Sequence, residues 1–237
     1  MRTINASYID GSFVAVSGTE KLNIVNPATE TAVGTLRLGS RRDAQRAIDA
    51  ASRAQARFSR TTKRERLDLL RALAAAVLRR SNDIRDATIA EYGAPLDRAR
   101  WISQYASDCF TLTAEVLTDY EFSRLIGDAT VLMESVGVSA LFAPWNAAAG
   151  TICSKLASAL AAGCACVVKP SEFAGLQSHI VAEAFHDAGL PAGLINFVNG
   201  RGQEVGDEWR DILGSRVSHS PARRRPERRS PGPRSSR

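Results

Sequence analysis

Between residues 130 and 206 the sequence alternates short apolar runs with helix-like stretches, and this alternation constrains the fold most. "TVLMESVGVSALFAP" (130–144) is β-branched and apolar and reads as strands, and a helix follows from about Gly150 to Ala162. "CACVVK" (164–169) reads as a short buried strand, Leu176–Ala188 as a helix, and "LINFVNG" (194–200) as a third strand. "GQEVGDEW" (202–209) opens another helix. Near-continuous apolar strands separated by helices are the pattern of a parallel sheet wrapped by helices. Right-handed crossovers would then bring all three strand C-termini to one edge, where ligands of such folds bind.

Upstream the pattern differs. The first forty residues are mixed and turn-rich, and "NPATE" (26–30) reads as a loop. From Arg42 to Phe58 the chain is Ala-rich, with Ala44, Ala47, Ile48 and Ala51 at helical spacing. In "KRERLDLLRALAAAVLRR", Leu70, Leu73 and Val77 share one face, and Arg79–Arg80 suit a helix C-terminus. A third helix is expected over Asp83–Glu91, stopped by Gly93 and Pro95, and a fourth over "RARWISQYASDCFTLTAEVLTDY". The expected organisation is a helix-rich region at 1–122, a partial dinucleotide-binding α/β region at 123–215, and a disordered basic tail at 216–237.

The net charge of +6 belongs to that tail. Residues 216–237 hold eight Arg and one Glu, which leaves 23 basic against 24 acidic residues in 1–215. Rich in Arg, Ser and Pro, the tail cannot bury enough surface to offset its ordering entropy. It has no aromatics for stacking on bases, so no specific nucleic-acid partner is expected. No run approaches the ~20 apolar residues of a membrane span, and no apolar targeting segment opens the sequence. Cys109, Cys153, Cys164 and Cys166 form neither a secreted framework nor a CxxC pair, so a reduced, cytoplasmic protein is expected. His179, His186 and His219 lack metal-ligand spacing and read as surface or tail residues.

Three short segments fall at the expected strand ends: Pro144-Trp145-Asn146, Lys169-Pro170-Ser171-Glu172, and the Gly-bearing "NGRGQEVG" (199–206). Alone each has a bland reading. Pro-Trp-Asn after a strand is more often a turn with a buried ring, Lys169 could be a solvated strand end, and a lone G-x-G is common. Together, at successive strand C-termini of one sheet, they are far more specific.

With Lys155 and the stretches "ALAAGCACVVKPSE" and "AEAFHDAGLPAGLINFVNGRGQEVG", these segments resemble the NAD(P)-dependent aldehyde dehydrogenase superfamily. The resemblance extends upstream through "NPATE", "ERLDLLRALAAAVLRR" and "EYGAPLDRAR", and covers roughly residues 5–210. It implies a Rossmann-like cofactor domain, a catalytic domain, and a β-extension used for homo-oligomerisation. Asn146 matches the amide that donates to the oxygen of the hemithioacetal as charge develops there. Lys169 and Glu172 match residues that hold the adenosine ribose hydroxyls, and a carboxylate at Glu172 would repel the 2′-phosphate of NADP and favour NAD. Gly202 and Gly206 match the glycine-bearing turn near the adenine, and Lys155 matches a lysine sometimes assigned to a proton relay. Two departures stand out: "PWNAAAG" lacks the usual apolar residues after the Asn, and "GCACVV" replaces the commoner Gly-Asn-Thr/Ala start.

The resemblance also implies a cysteine thiolate that attacks the aldehyde and a glutamate that activates water, both downstream of Val205–Gly206 in a catalytic half this sequence does not contain. None of the four cysteines sits in the matching context. The expected function is therefore NAD-dependent aldehyde oxidation by family, with this chain inactive alone; the alternative is a non-catalytic oligomerisation partner of full-length homologues. The tail fits the same picture. Back-translated and shifted by one frame, "SHSPARRR" permits Phe-Thr-Gly-Ser-Thr, the family's turn at the cofactor pyrophosphate, so an out-of-frame reading from near Ser218 is expected. Three parallel strands would then remain, with the third strand's outer edge and one sheet face open.

Overall fold

A computed structural model describes residues 1–209, and the readings of the tail, its disorder and its reading frame, lie outside the described residues. Five short strands come first: β1 (Arg2–Ile4), β2 (Ala6–Ile9), β3 (Ser12–Ala15), β4 (Lys21–Val25) and β5 (Ala32–Arg37). Where the sequence suggested only turns, β1, β5 and β4 form a small sheet, and β2 and β3 a hairpin. Asp10 and Gly11 turn that hairpin in the left-handed region, as two-residue hairpins require.

Four helical stretches follow, close to where the periodicity placed them. α1 (Arg41–Phe58) starts at a capping box between Ser40 and Asp43, and α2 (Lys63–Arg79) at another between Thr62 and Glu65. Ala44, Ala47, Ile48 and Ala51 of α1 and Leu70, Leu73 and Val77 of α2 are buried, as their spacing implies. The third stretch is α3 (Ser81–Ala87), which widens into a π-helical turn at Thr88–Tyr92 before Gly93 ends it at φ +73°. Pro95 precedes α4 (Leu96–Asp119).

The remainder is an exposed hairpin, β6 (Ser123–Ile126) and β7 (Ala129–Leu132), and the expected alternation: β8 (Ser139–Ala143), α5 (Ala148–Ala161), β9 (Cys166–Pro170), α6 (Gly175–Asp187) and β10 (Ile195–Phe197). A second π-helical turn at Gly202–Gly206 follows. β8, β9 and β10 are parallel neighbours, with Ser139 and Ile195 both level with Cys166. The fold class read from the sequence, a mixed α/β chain with a partial Rossmann-like parallel sheet, is observed.

Two expectations about openness are corrected. The outer edge of β10 is not free, because β2 pairs with it antiparallel through Tyr8 and Phe197, giving a five-stranded sheet in the order β3-β2-β10-β9-β8. Nor is one face bare. α5 packs on β8 and β9 with α6 beside it, as two right-handed crossovers require. α1 packs on β9 and β10 from the other face, where Trp209 donates to the Ala44 carbonyl at 3.2 Å. All of β9 and β10 is buried, whereas four of the five residues of β8 are only half-buried, and β8 forms one edge of the sheet with β3 at the other.

Candidate functional site at the strand C-termini

β8, β9 and β10 run parallel, so their C-terminal ends deliver all three segments to one edge of the sheet. Pro144, Trp145 and Asn146 leave β8 exposed. The expected buried ring is not found: Trp145 is 52 % exposed and packs edge-on against Tyr92, centroids 5.5 Å apart. About two turns into α5, Lys155 reaches back and its Nζ donates to the Phe142 carbonyl of β8 at 2.7 Å. Partial burial lowers the affinity of this amine for its proton.

The β9 loop carries most of the charge. Ser171 N–H donates to the Ala143 carbonyl at 2.9 Å, tying this loop to the end of β8, and its hydroxyl accepts from Phe173 N–H at 3.3 Å. Lys169, 6 % exposed, donates to its neighbour's carbonyl at Pro170 at 3.0 Å and lies 3.8 Å from the Glu172 carboxylate. Burial pushes the Lys169 amine below its usual range, and the Glu172 charge acts in the opposite sense.

Arg201, which sequence reasoning treated only as the middle of a G-x-G turn, completes this cluster. Its Nη1 donates to Glu172 at 3.2 Å and its Nη2 to Glu20 at 2.7 Å. Two carboxylates thus share one guanidinium, with Lys169 as the second cation. Glu20 lies 181 positions upstream of Arg201, so no local signal could have found the pair. Beside it opens a cavity of about 310 Å³, lined among others by Ser17, Gly18, Glu20, Arg201 and Glu204.

The glycines fit a cofactor's approach. A Cβ at Gly202 would meet nothing within 4 Å, which leaves the backbone open on that side. A Cβ at Gly206 would come 3.2 Å from the Phe142 ring and 3.8 Å from Lys169 Cδ, so this glycine lets the third loop close on the first two. An amine, a carboxylate and an open glycine backbone on one strand edge match what a nucleotide ribose and its phosphates need.

The described cysteines are all buried, and burial raises the thiols of Cys109, Cys153 and Cys166, which opposes the thiolate form. His186 is exposed as read, but His179 is not a surface residue. It is half-buried against Phe13 and lies 3.3 Å from Glu183, which also binds Arg2 and Arg80. No described helix is long and apolar enough to cross a membrane.

Comparison with known proteins supplies the family. The aldehyde dehydrogenase family matches residues 13–211. A 3-succinoylsemialdehyde-pyridine dehydrogenase from a Pseudomonas species is 39 % identical over 208 residues, covering 87 % of this chain and 44 % of the relative. An aldehyde dehydrogenase from Bartonella henselae superposes with a TM-score of 0.83 at 33 % identity, over 87 % of this chain and 44 % of that one. Aldehyde dehydrogenase C of Pseudomonas syringae, solved with NAD+ and octanal, gives 0.83 at 36 % identity, over 86 % and 42 %. The chain therefore spans less than half the length of the relatives it matches, corresponding to their N-terminal portion. With more than three quarters of its sequence matched, the chain belongs to the aldehyde dehydrogenase family.

Proposed function

We propose that this chain is the nucleotide-side portion of an NAD-linked aldehyde dehydrogenase. The cluster of Lys169, Glu172 and Arg201 on the strand edge carries this reading. Lys169 and Glu172 would hold the adenosine ribose hydroxyls, with Pro170 and Ser171 shaping the loop between them. Gly202 and Gly206 would let the backbone approach, and Pro144 and Trp145 would wall the site. NAD, when bound, supplies the hydride acceptor; Asn146 would donate to the oxyanion of the aldehyde adduct, and Lys155 would stand near as a proton-relay amine. A carboxylate at Glu172 would repel the 2′-phosphate of NADP and so favour NAD. The substrate of the complete enzyme is an aldehyde.

Titration of the purified chain with NAD and with NADP, followed by tryptophan fluorescence, tests the binding role. Weak NAD binding that exceeds NADP binding is expected, and Glu172→Ala should narrow that preference about tenfold, the order of one charge–charge contact. Equal affinity for both cofactors, unchanged by Glu172→Ala, refutes the assignment. With any aldehyde the chain alone should form no NADH, since nucleophile and base belong to the other portion of the family fold. Resequencing the coding DNA across codons 205–237 and beyond tests whether the tail is an out-of-frame reading.

A second reading, a non-catalytic oligomerisation partner of full-length homologues, draws on the β6–β7 hairpin. Leu125, Ile126 and Leu132 are 76 %, 56 % and 64 % exposed there, and Val116 of α4 is 68 % exposed. Contiguous exposed apolar residues of this kind mark interfaces. Co-purification with a full-length homologue, lost on Leu125→Lys, would favour it. Under either reading the chain is proposed to reside in the cytoplasm.

A further inference from the structure

Glu91 is 8 % exposed, yet its carboxylate bridges separate parts of the chain. It sits in the π-helical turn before Gly93, a type of turn often found at functional sites. Oε2 accepts from Leu176 N–H at 2.7 Å and Oε1 from Gln177 N–H at 2.8 Å. Those two donors open α6, where no side-chain cap serves them otherwise. The contact continues through Gln177, which is fully buried. Its Oε1 accepts from Ala149 N–H at 3.3 Å, in the first turn of α5, which likewise has no side-chain cap. Gln177 Nε2 lies near enough to Glu91 to favour its ionised form, but falls short of full hydrogen-bond geometry with any described group.

The two helix N-termini joined in this way follow directly on the two polar loops of the site. α5 begins two residues after Asn146, and α6 three residues after Glu172. We propose that Glu91 is a positioning residue whose carboxylate clasps the first turns of α6 and, through Gln177, of α5, so that its ionisation sets where Asn146 and the Lys169–Glu172 loop stand. This deepens the site reading above and rests on it.

Burial dominates the chemistry of the group and raises Glu91 to about 7, although the N–H groups of Gln177 and Leu176 pull the other way. Neighbouring charges play no part. α3, α4, α6 and β4 pack on its turn. Asp83 of α3 is bound to Arg80, and Asp86 to Arg85. Asp97 and Arg100 of α4 pair with each other, as do His179 and Glu183 of α6. The remaining charged groups of those elements, Lys21 of β4, Arg98, Asp108, Glu115 and Asp119 of α4, and His186 and Asp187 of α6, contribute nothing to Glu91 either. Protonation would turn one oxygen into a donor facing another donor and release one arm of the clasp.

The test is a pH titration of the isotope-labelled full chain, following the backbone amides of Ala149, Leu176 and Gln177 by NMR. All three should shift together with a midpoint near 7 in the unaltered chain, which needs no variant to fold. Glu91→Gln should abolish the shared transition. Gln177→Leu should keep it at Leu176 and remove it at Ala149. Separate midpoints, or a transition that persists in Glu91→Gln, overturn the clasp. In parallel, NAD affinity should weaken by up to about tenfold per pH unit below the midpoint. A shared amide transition in a chain that binds no NAD at any pH upholds the clasp and overturns the site reading instead.

Discussion

Glu91 shows how one side chain can cost stability and serve geometry. Folding raises its pKa from the ordinary value of 4.5 to about 7, so between those values the folded chain holds a proton that the unfolded chain has lost. Stability contributed by this group is therefore largest below the unfolded value, falls as pH rises toward 7, and levels off above it. The raised value corresponds to about 3 kcal/mol between the two limits. His179 acts in the opposite sense, since burial lowers its pKa, so the measurement must be a difference. Urea unfolding of the chain and of Glu91→Gln should show the unaltered chain losing about 3 kcal/mol relative to the variant between acid and mildly alkaline pH. A difference that stays constant with pH would mean that folding leaves the Glu91 pKa at its ordinary value.

At the scale of elements, caps decide which helix ends matter. Asp43 is fully buried and accepts from Ser17 N–H at 2.9 Å, from the Ser17 hydroxyl at 2.8 Å and from Ser40 N–H at 2.9 Å, so it pins the segment after β3 to the start of α1. Thr62 and Glu65 cap α2 by the same box, but exposed to water. Asp43→Ala strands several donors in the interior and should cost about 3 kcal/mol, whereas Thr62→Ala should cost about 1 kcal/mol. Equal shifts in the denaturation midpoint would show that the Asp43 donors find water once the carboxylate is gone. The apolar spacing of Ala44, Ala47, Ile48 and Ala51, and of Leu70, Leu73 and Val77, was visible in the sequence, and this is why α1 and α2 were legible almost to the residue, whereas their caps emerged only in the structure. β1 to β5 were not legible. Each has three to six residues, too few to establish a period, and two of their pairings are remote: Tyr8 pairs with Phe197 and Arg2 with Gly34. The candidate site divides the same way. Asn146, Lys169 and Glu172 follow from strand ends and from family resemblance, while Arg201 with Glu20 and Glu91 with Leu176 exist only through tertiary contact.

The whole molecule is built on a sheet that ends at β3 on one side and at β8 on the other. β2 covers the outer edge of β10 and β3 that of β2, while β8 pairs only with β9 among the described residues. Ser139 N–H reaches the Ala165 carbonyl, and the Ala143 carbonyl accepts from Ser171 N–H, so residues 139, 141 and 143 direct their backbone groups inward to β9. In a parallel strand the alternate residues, Ala140 and Phe142, must then direct theirs outward. Lys155 already occupies the Phe142 carbonyl at 2.7 Å, which blunts part of this edge with a charge in the way exposed edges are usually protected. Among the described residues nothing covers Ala140 in this way, and its N–H and C=O offer a second copy of the chain a pair of backbone bonds. So short an offer should give reversible, concentration-dependent association rather than a fixed dimer. Ala140→Pro removes the outward donor without touching a bond to β9, a placement that edge strands tolerate. Analytical ultracentrifugation should show the unaltered chain associating as its concentration rises and Ala140→Pro remaining monomeric with the same melting behaviour. If the variant associates as readily as the parent, the contact lies elsewhere, and the exposed Leu125 and Ile126 of the β6–β7 hairpin become the surface to alter next.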